Sequence, residues 1–200
     1  MPQRVTRPVL VPLSCVLLVL GGCLGTPPSR FYLLPTLTDV SSPAAMGERA
    51  LTIGVGPVTL PPYLDRPQIV TRASRAQLHL AELDQWAASL QDTVARVLAE
   101  NLSLLIPTAW VVLHPWPRTT VIDRQILLEV TRFDRTMGGE AVLVARWSLL
   151  GAAGQELAMR KAHFSAPAGG PDYEATVTAM GRTPEALSHD IAATVQDLAH

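Results

Sequence analysis

The apolar residues of this chain repeat with two periods, and the switches between them mark its elements. Leu51, Ile53 and Val55 alternate with Thr52 and the glycines, which predicts a strand over Leu51 to Val58. Ile69 to Arg72 and Gln77 to Leu83 alternate around Ala73-Ser74-Arg75-Ala76 and predict a β-hairpin. Trp86, Leu90, Val94, Val97, Leu98, Leu102 and Leu105 then recur on one helical face, with Asp92, Arg96 and Glu100 on the other. The pattern predicts an amphipathic helix capped by Asp84 and stopped by Pro107. Trp110 to His114 reads as a strand ended by Pro115.

A meander follows. Ile122, Ile126, Leu128 and Val130 share one strand parity, and Leu127 and Phe133 take the other. Met137-Gly138-Gly139 turns the chain, and Ala141, Leu143, Ala145, Trp147 and Leu149 alternate in the next strand. After a turn at Gly151 to Gly154, Leu157 to Phe164 returns as a third strand. From Asp172 onward, Tyr173, Val177, Met180, Leu187, Ile191, Val195 and Leu198 keep one helical phase. Gly181, Thr183 and Pro184 interrupt it as a stop, an N-cap and an N1 proline, which predicts a kinked helix or two short ones in line. Phe31 to Leu34 is a short apolar run before Pro35, suited to an edge strand, and 35–49 reads as a loop. The order predicts an α+β fold: a mostly antiparallel sheet with two main helices packed on one face, in two α/β halves.

The first residues follow neither period. Arg4 and Arg7 precede an apolar run from Val9 to Leu20, and small residues lead into Cys23. This is the layout of a secretory signal peptide. A membrane span needs about 20 apolar residues, and this run has about 12. Leu20-Gly21-Gly22-Cys23 also resembles the bacterial lipobox. That resemblance implies cleavage after residue 22, diacylglycerol on the Cys23 thiol and an acyl chain such as palmitate on its amine. Two or three chains give an attachment that one chain does not. Residues 23–30 then form a lipidated tether, and 31–200 a single periplasmic domain. The sorting rule that goes with the motif reads the next residue. Leu24 in place of Asp favours the periplasmic face of the outer membrane over retention at the inner one.

Composition narrows the chemistry. Without 1–22 the chain keeps 178 residues and an acidic excess of about three, so it carries no basic footprint for a nucleic acid. Cys15 leaves with the signal and Cys23 becomes the anchor, so the domain has no thiol to form a disulfide or ligate a metal. The five histidines, His79, His114, His163, His189 and His200, make no HxxxH or HExxH spacing. No G-x-S-x-G elbow or phosphate-binding glycine loop is present. The reading is therefore a non-enzyme with no cofactor and no metal, apart from the covalent lipid. Asp123, Glu129 and Asp134 read as the solvent side of one strand, and His189 and Asp190 as a solvated helix flank. Of the four tryptophans, Trp116, between Pro115 and Pro117, is the candidate for an exposed apolar contact.

Three stretches resemble the PqiC-type ABC-transport auxiliary lipoproteins. They are Arg30-Phe31-Tyr32-Leu33-Leu34, Tyr63 to Arg72, and Trp86 to Leu90 leading into Val97 to Leu102. One departure is visible: the family tends to Ala-Glu-Pro after the Trp, and here the residues are Ala87-Ala88-Ser89. The resemblance implies the outer-membrane component of an MCE-type trans-envelope lipid transport system, docking the complex there and partnered by an MCE-domain protein. The alternative is an envelope-assembly lipoprotein that does not contact lipid cargo.

The expected protein contact is the stretch Pro61 to Gln68. Three prolines in seven residues leave it few unbound conformations, which lowers the entropy cost of docking. Tyr63, Leu64, Asp65, Arg66 and Gln68 supply the contact side chains, Tyr and Arg being frequent hot-spot types. A neighbouring copy in a homo-oligomer and the MCE-type partner are both open as its target.

Overall fold

The computed structural model describes residues 27–37, 51–136 and 138–198. The sheet is built on one long strand. Strand β6 (Arg124–Thr136) pairs antiparallel with β7 (Glu140–Gly151), and β7 with β8 (Glu156–Pro167). On its other edge β6 serves two partners in succession. Its first half takes β2 (Leu51–Thr59) in parallel, and its last two residues take β3 (Gln68–Arg72), also in parallel. Beyond β2 lies β5 (Ala109–Leu113), parallel. Beyond β3 lie β4 (Leu78–Trp86), antiparallel, and β1 (Arg30–Tyr32), parallel to β4. The eight-stranded sheet is therefore mixed, and antiparallel over its longest ladders.

The change of parity along β6 has a physical cause. Val130 pairs with Ala145 and Arg132 with Val144, so Thr131 is an extra residue, a β-bulge. The bulge returns Phe133 to the face that already holds Ile126, Leu128 and Val130, and all four are buried.

Both helices pack against one face of the sheet and against each other. Helix α1 (Leu90–Leu105) begins later than the sequence periodicity indicates. Its N-cap is Ser89, whose hydroxyl accepts from Asp92 N at 3.4 Å, while Asp84 and Trp86 belong to β4. The apolar phase continues from strand to helix only because Trp86 is buried where the chain turns.

Helix α2 (Tyr173–Asp197) is one continuous helix through Pro184 rather than two. Proline cannot donate to the carbonyl four residues back, which is that of Met180. The Thr183 hydroxyl donates to Met180 O instead, at 2.9 Å, and Ser188 Oγ donates to Pro184 O at 2.7 Å. Gly181 has a separate role. A Cβ there would lie 2.3 Å from Pro35 Cγ, so its absence lets the segment after β1 lie against α2. The same segment reaches α1, where Leu37 N donates to Asn101 Oδ1 at 2.9 Å. The Asn101 amide in turn donates to Ser188 Oγ at 3.1 Å, a buried link between the helices.

Candidate functional site

The three stretches singled out in the sequence meet at the end of β4. Arg30, Phe31 and Tyr32 pair with Asp84, Gln85 and Trp86. Gln68 pairs with Gln85 from the other side, Pro67 O accepts from Trp86 N at 2.7 Å, and Tyr32 O accepts from Ala87 N at 2.9 Å. Chain segments as far as 54 residues apart are thus fixed to one strand end by backbone bonds.

Asp84 is the polar centre of this junction, not a helix cap. It is 3% exposed. Arg30 grips it with Nε on Oδ1 at 2.8 Å and Nη2 on Oδ2 at 2.9 Å, and the Tyr32 hydroxyl donates to Oδ1 at 2.8 Å. Burial and the bond to Asp84 raise the Tyr32 phenol above its ordinary pKa, and the bond to Asp84 raises Arg30. The sequence signal for this site was an acidic residue near the end of an otherwise apolar alternation.

The proline-framed stretch is ordered by short local bonds. Pro62–Leu64 forms a 3-10 turn, with Leu64 N donating to Pro61 O at 2.9 Å and Arg66 N to Leu64 O at 2.9 Å. Leu64 is buried and pins the turn to the core, and Tyr63 packs half-buried beside it. Asp65 is exposed, while Arg66 and Gln68 are half-buried. Arg66 Nε is buried with no hydrogen-bond partner among the described residues. Asp65, Arg66 and Pro67 form one wall of a cleft of about 400 Å³, and Trp86, Ala88 and Ser89 form the other. Ala88 and Ser89, the two positions noted above as departing from the resemblance, therefore line the cleft.

A second buried carboxylate stands behind Tyr63. Asp134 is 0% exposed, so it is not on a solvent face. Arg72 Nη2 lies 2.8 Å from Oδ2, and Arg132 reaches Oδ1 from both Nη2 and Nε at 2.9 Å. Burial first, and then Asp134, raise the Tyr63 phenol, while the bond to Asp134 raises Arg72. Arg132, two residues before it in sequence, is the local trace that marks it. Glu129 does face solvent, paired with Arg146 at 3.0 Å. Asp123 is half-buried and accepts from Thr52 N at 2.9 Å. Asp190 is likewise engaged: it accepts from the Trp147 indole at 3.1 Å and from Arg160 at 3.0 Å.

Trp116 is half-buried. Its ring covers Gly54, where a Cβ would meet it at 2.8 Å, and it sits edge-on to His114. The exposed tryptophan is Trp110, 55% exposed on the edge strand β5. Cys23 and Leu24 lie outside the described residues. Among the described residues no three His, Cys, Asp or Glu side chains cluster to hold a metal, and no helix is long and apolar enough to cross a membrane.

Residues 32–192 match the model of the ABC-type transport auxiliary lipoprotein component family. The chain is 31% identical over 132 residues to the intermembrane transport lipoprotein PqiC of Escherichia coli K12, covering 65% of this chain and 68% of that protein. The Shigella flexneri protein of the same name matches equally. The fold is similar to the crystal structure of an uncharacterised protein (TM-score 0.70, 23% identity, 84% of this chain and 99% of the other). It is also similar to protein XCC0632 from Xanthomonas campestris (TM-score 0.67, 16% identity, 85% and 99%).

Proposed function

The chain belongs to the ABC-type transport auxiliary lipoprotein family, a non-catalytic transport component, and from that premise we propose that it is the outer-membrane-side lipoprotein of a trans-envelope lipid transport system. The match over 32–192 carries this reading. It begins nine residues after Cys23, which leaves the preceding segment free to act as signal and tether. Cys23 holds the lipid, Leu24 directs it to the outer membrane, and the domain docks an MCE-domain partner.

The docking surface in this reading is the outer rim of the cleft, with Asp65 and Arg66 as contact groups and Tyr63 and Gln68 beside them. Leu64 is the peg that holds the turn. The pinned turn and the pre-set prolines support it, because little further ordering is needed on binding.

Two experiments test these parts separately. Cys23→Ser should leave a protein that folds yet no longer fractionates with the outer membrane, and Leu24→Asp should shift it towards the inner membrane. Wild-type fractionation of Cys23→Ser would end the anchor reading. Asp65→Ala and Arg66→Ala should keep the melting temperature but lower recovery of the MCE-domain partner from crosslinked envelopes. Unchanged recovery, together with unchanged oligomer mass by light scattering, would show that the turn is only a turn.

A further inference from the structure

A buried cation lies on the helix-facing side of the sheet, and among the described residues no carboxylate bonds it. Arg135 is 6% exposed. Among the described residues its bonded partners are neutral: Thr176 Oγ1 at 2.8 Å from Nη1 and Gly139 O at 3.2 Å from Nε. A guanidinium has five N–H donors, so these bonds leave donors over. A charge removed from water is costly unless it is paired.

The neighbouring carboxylates are already committed. Asp134 is held by Arg72 and Arg132 on the opposite face, Asp84 by Arg30 and Tyr32, and Asp172 caps α2 through Ala175 N at 2.7 Å.

The register builds a site around Arg135. Thr71 pairs with Arg135 on one side and with His79 on the other, so three adjacent strands present His79, Thr71 and Arg135 in a row on one face. The first turn of α2 covers this row with Tyr173 and Thr176. They enclose a cleft of about 200 Å³. The Tyr173 hydroxyl lies 3.4 Å from His79 Nδ1. Among the described residues the lining thus offers a guanidinium, the hydroxyls of Thr71 and Tyr173 and an imidazole, and no carboxylate, while the Thr176 hydroxyl is already engaged, accepting from Arg135 and donating to Asp172 O at 2.8 Å. Donors converge from the sheet below and the helix above, an arrangement suited to a tetrahedral oxyanion with acceptors on several sides better than to a planar carboxylate.

We propose that this cleft binds a phosphate-class oxyanion, with Arg135 as its charge partner and the Tyr173 hydroxyl and His79 closing it from the open side. The inference stands on Arg135 and its surroundings and does not depend on the transport reading. Two sources share the chemistry: free phosphate and the phosphodiester of a lipid headgroup.

The test is calorimetric titration of the detergent-purified full-length protein with inorganic phosphate and, separately, with glycerophosphoglycerol, a water-soluble deacylated headgroup. At least one should bind. Arg135→Gln and Tyr173→Phe should each weaken it about tenfold or more, close to 1.4 kcal/mol. Preference for phosphate assigns the free ion, and preference for the diester assigns the headgroup. If Arg135→Gln does not fold, Tyr173→Phe and His79→Asn, at the accessible side of the cleft, carry the test. Binding of neither ligand, or equal binding by the folded variants, would overturn the proposal. Envelope fractionation of the same variants should match wild type, which separates this test from that of the anchor.

Discussion

Asp134→Ala should destabilise the domain by about 3 kcal/mol. Removing one partner of a buried ion pair costs roughly 3–5 kcal/mol, because the remaining charge loses its compensation. Here one dry carboxylate compensates two guanidiniums. The low end of the range applies because the side chains of Arg72 and Arg132 remain 20% and 31% exposed and can regain water. Asp134→Asn separates charge from shape, since the amide fills the same volume but offers one acceptor oxygen where the carboxylate offers two. It should fall between wild type and Ala. Glu129→Ala is the control on the same strand. Its pair with Arg146 is about half exposed on both sides, and such pairs contribute about 0–1 kcal/mol. Chemical denaturation of the three variants decides the matter. If Asp134→Ala and Glu129→Ala lost equal stability, the buried cluster would not be what braces β3 against β6.

The two carboxylates show where reading the sequence stops. Alternation alone placed β7 and the face of α1, because a half-buried strand or helix writes its burial directly into the spacing of apolar residues. Asp84 and Asp134 sit within such alternations, but each is held by an arginine far along the chain, and Arg132 adds a local partner only to Asp134. Arg30 is 54 residues from Asp84, and Arg72 is 62 from Asp134. A local pattern carries no information about such partners, so Asp134 looks like a solvent-facing acid and Asp84 like a helix cap.

The start of α1 was obscured for a different reason. Trp86 precedes Leu90 by four residues, so a buried strand residue imitates the helical phase, and Ala87 and Ala88 are strong helix formers that hide the break. At Pro184 the local signal was sound but outweighed. Thr183 takes over the missing donation, and buried Met180, Leu187 and Ile191 hold both halves of α2 on the sheet and α1. The bulge at Thr131 flipped a parity that the sequence showed plainly but could not explain. The convergence of the three family-like stretches was likewise beyond local reading, since it depends on β1 adding in parallel to β4. Each stretch was visible, and their adjacency was not.

The helix face itself is the other element on which a large effect is expected. Leu98 is 0% exposed at the middle of α1, the element that packs on β2, β5 and α2 together. Leu98→Ala removes buried apolar volume at a point enclosed from three sides. The surroundings can relax little without moving a strand or the other helix. Such truncations cost about 2–5 kcal/mol, rising with the volume of the cavity that persists. For a domain of this size that is a loss of several degrees in Tm, by the general relation between stability and melting. Asp92 lies six residues earlier and is exposed. Its side chain gains only from the N-terminal end of the helix dipole, worth about 0.3–1 kcal/mol. Ala regains part of that through its better helix propensity, so Asp92→Ala should stay within about 0.5 kcal/mol of wild type, as a surface change. Helix propensity cannot account for a loss in Leu98→Ala, because both variants introduce the best helix former, so the difference reports burial. Scanning calorimetry of the pair reads the result. A Tm for Leu98→Ala equal to that of Asp92→Ala would mean that α1 does not hold the sheet together. Positioning of the β4 junction would then rest on the backbone bonds from Pro67 and Tyr32 alone.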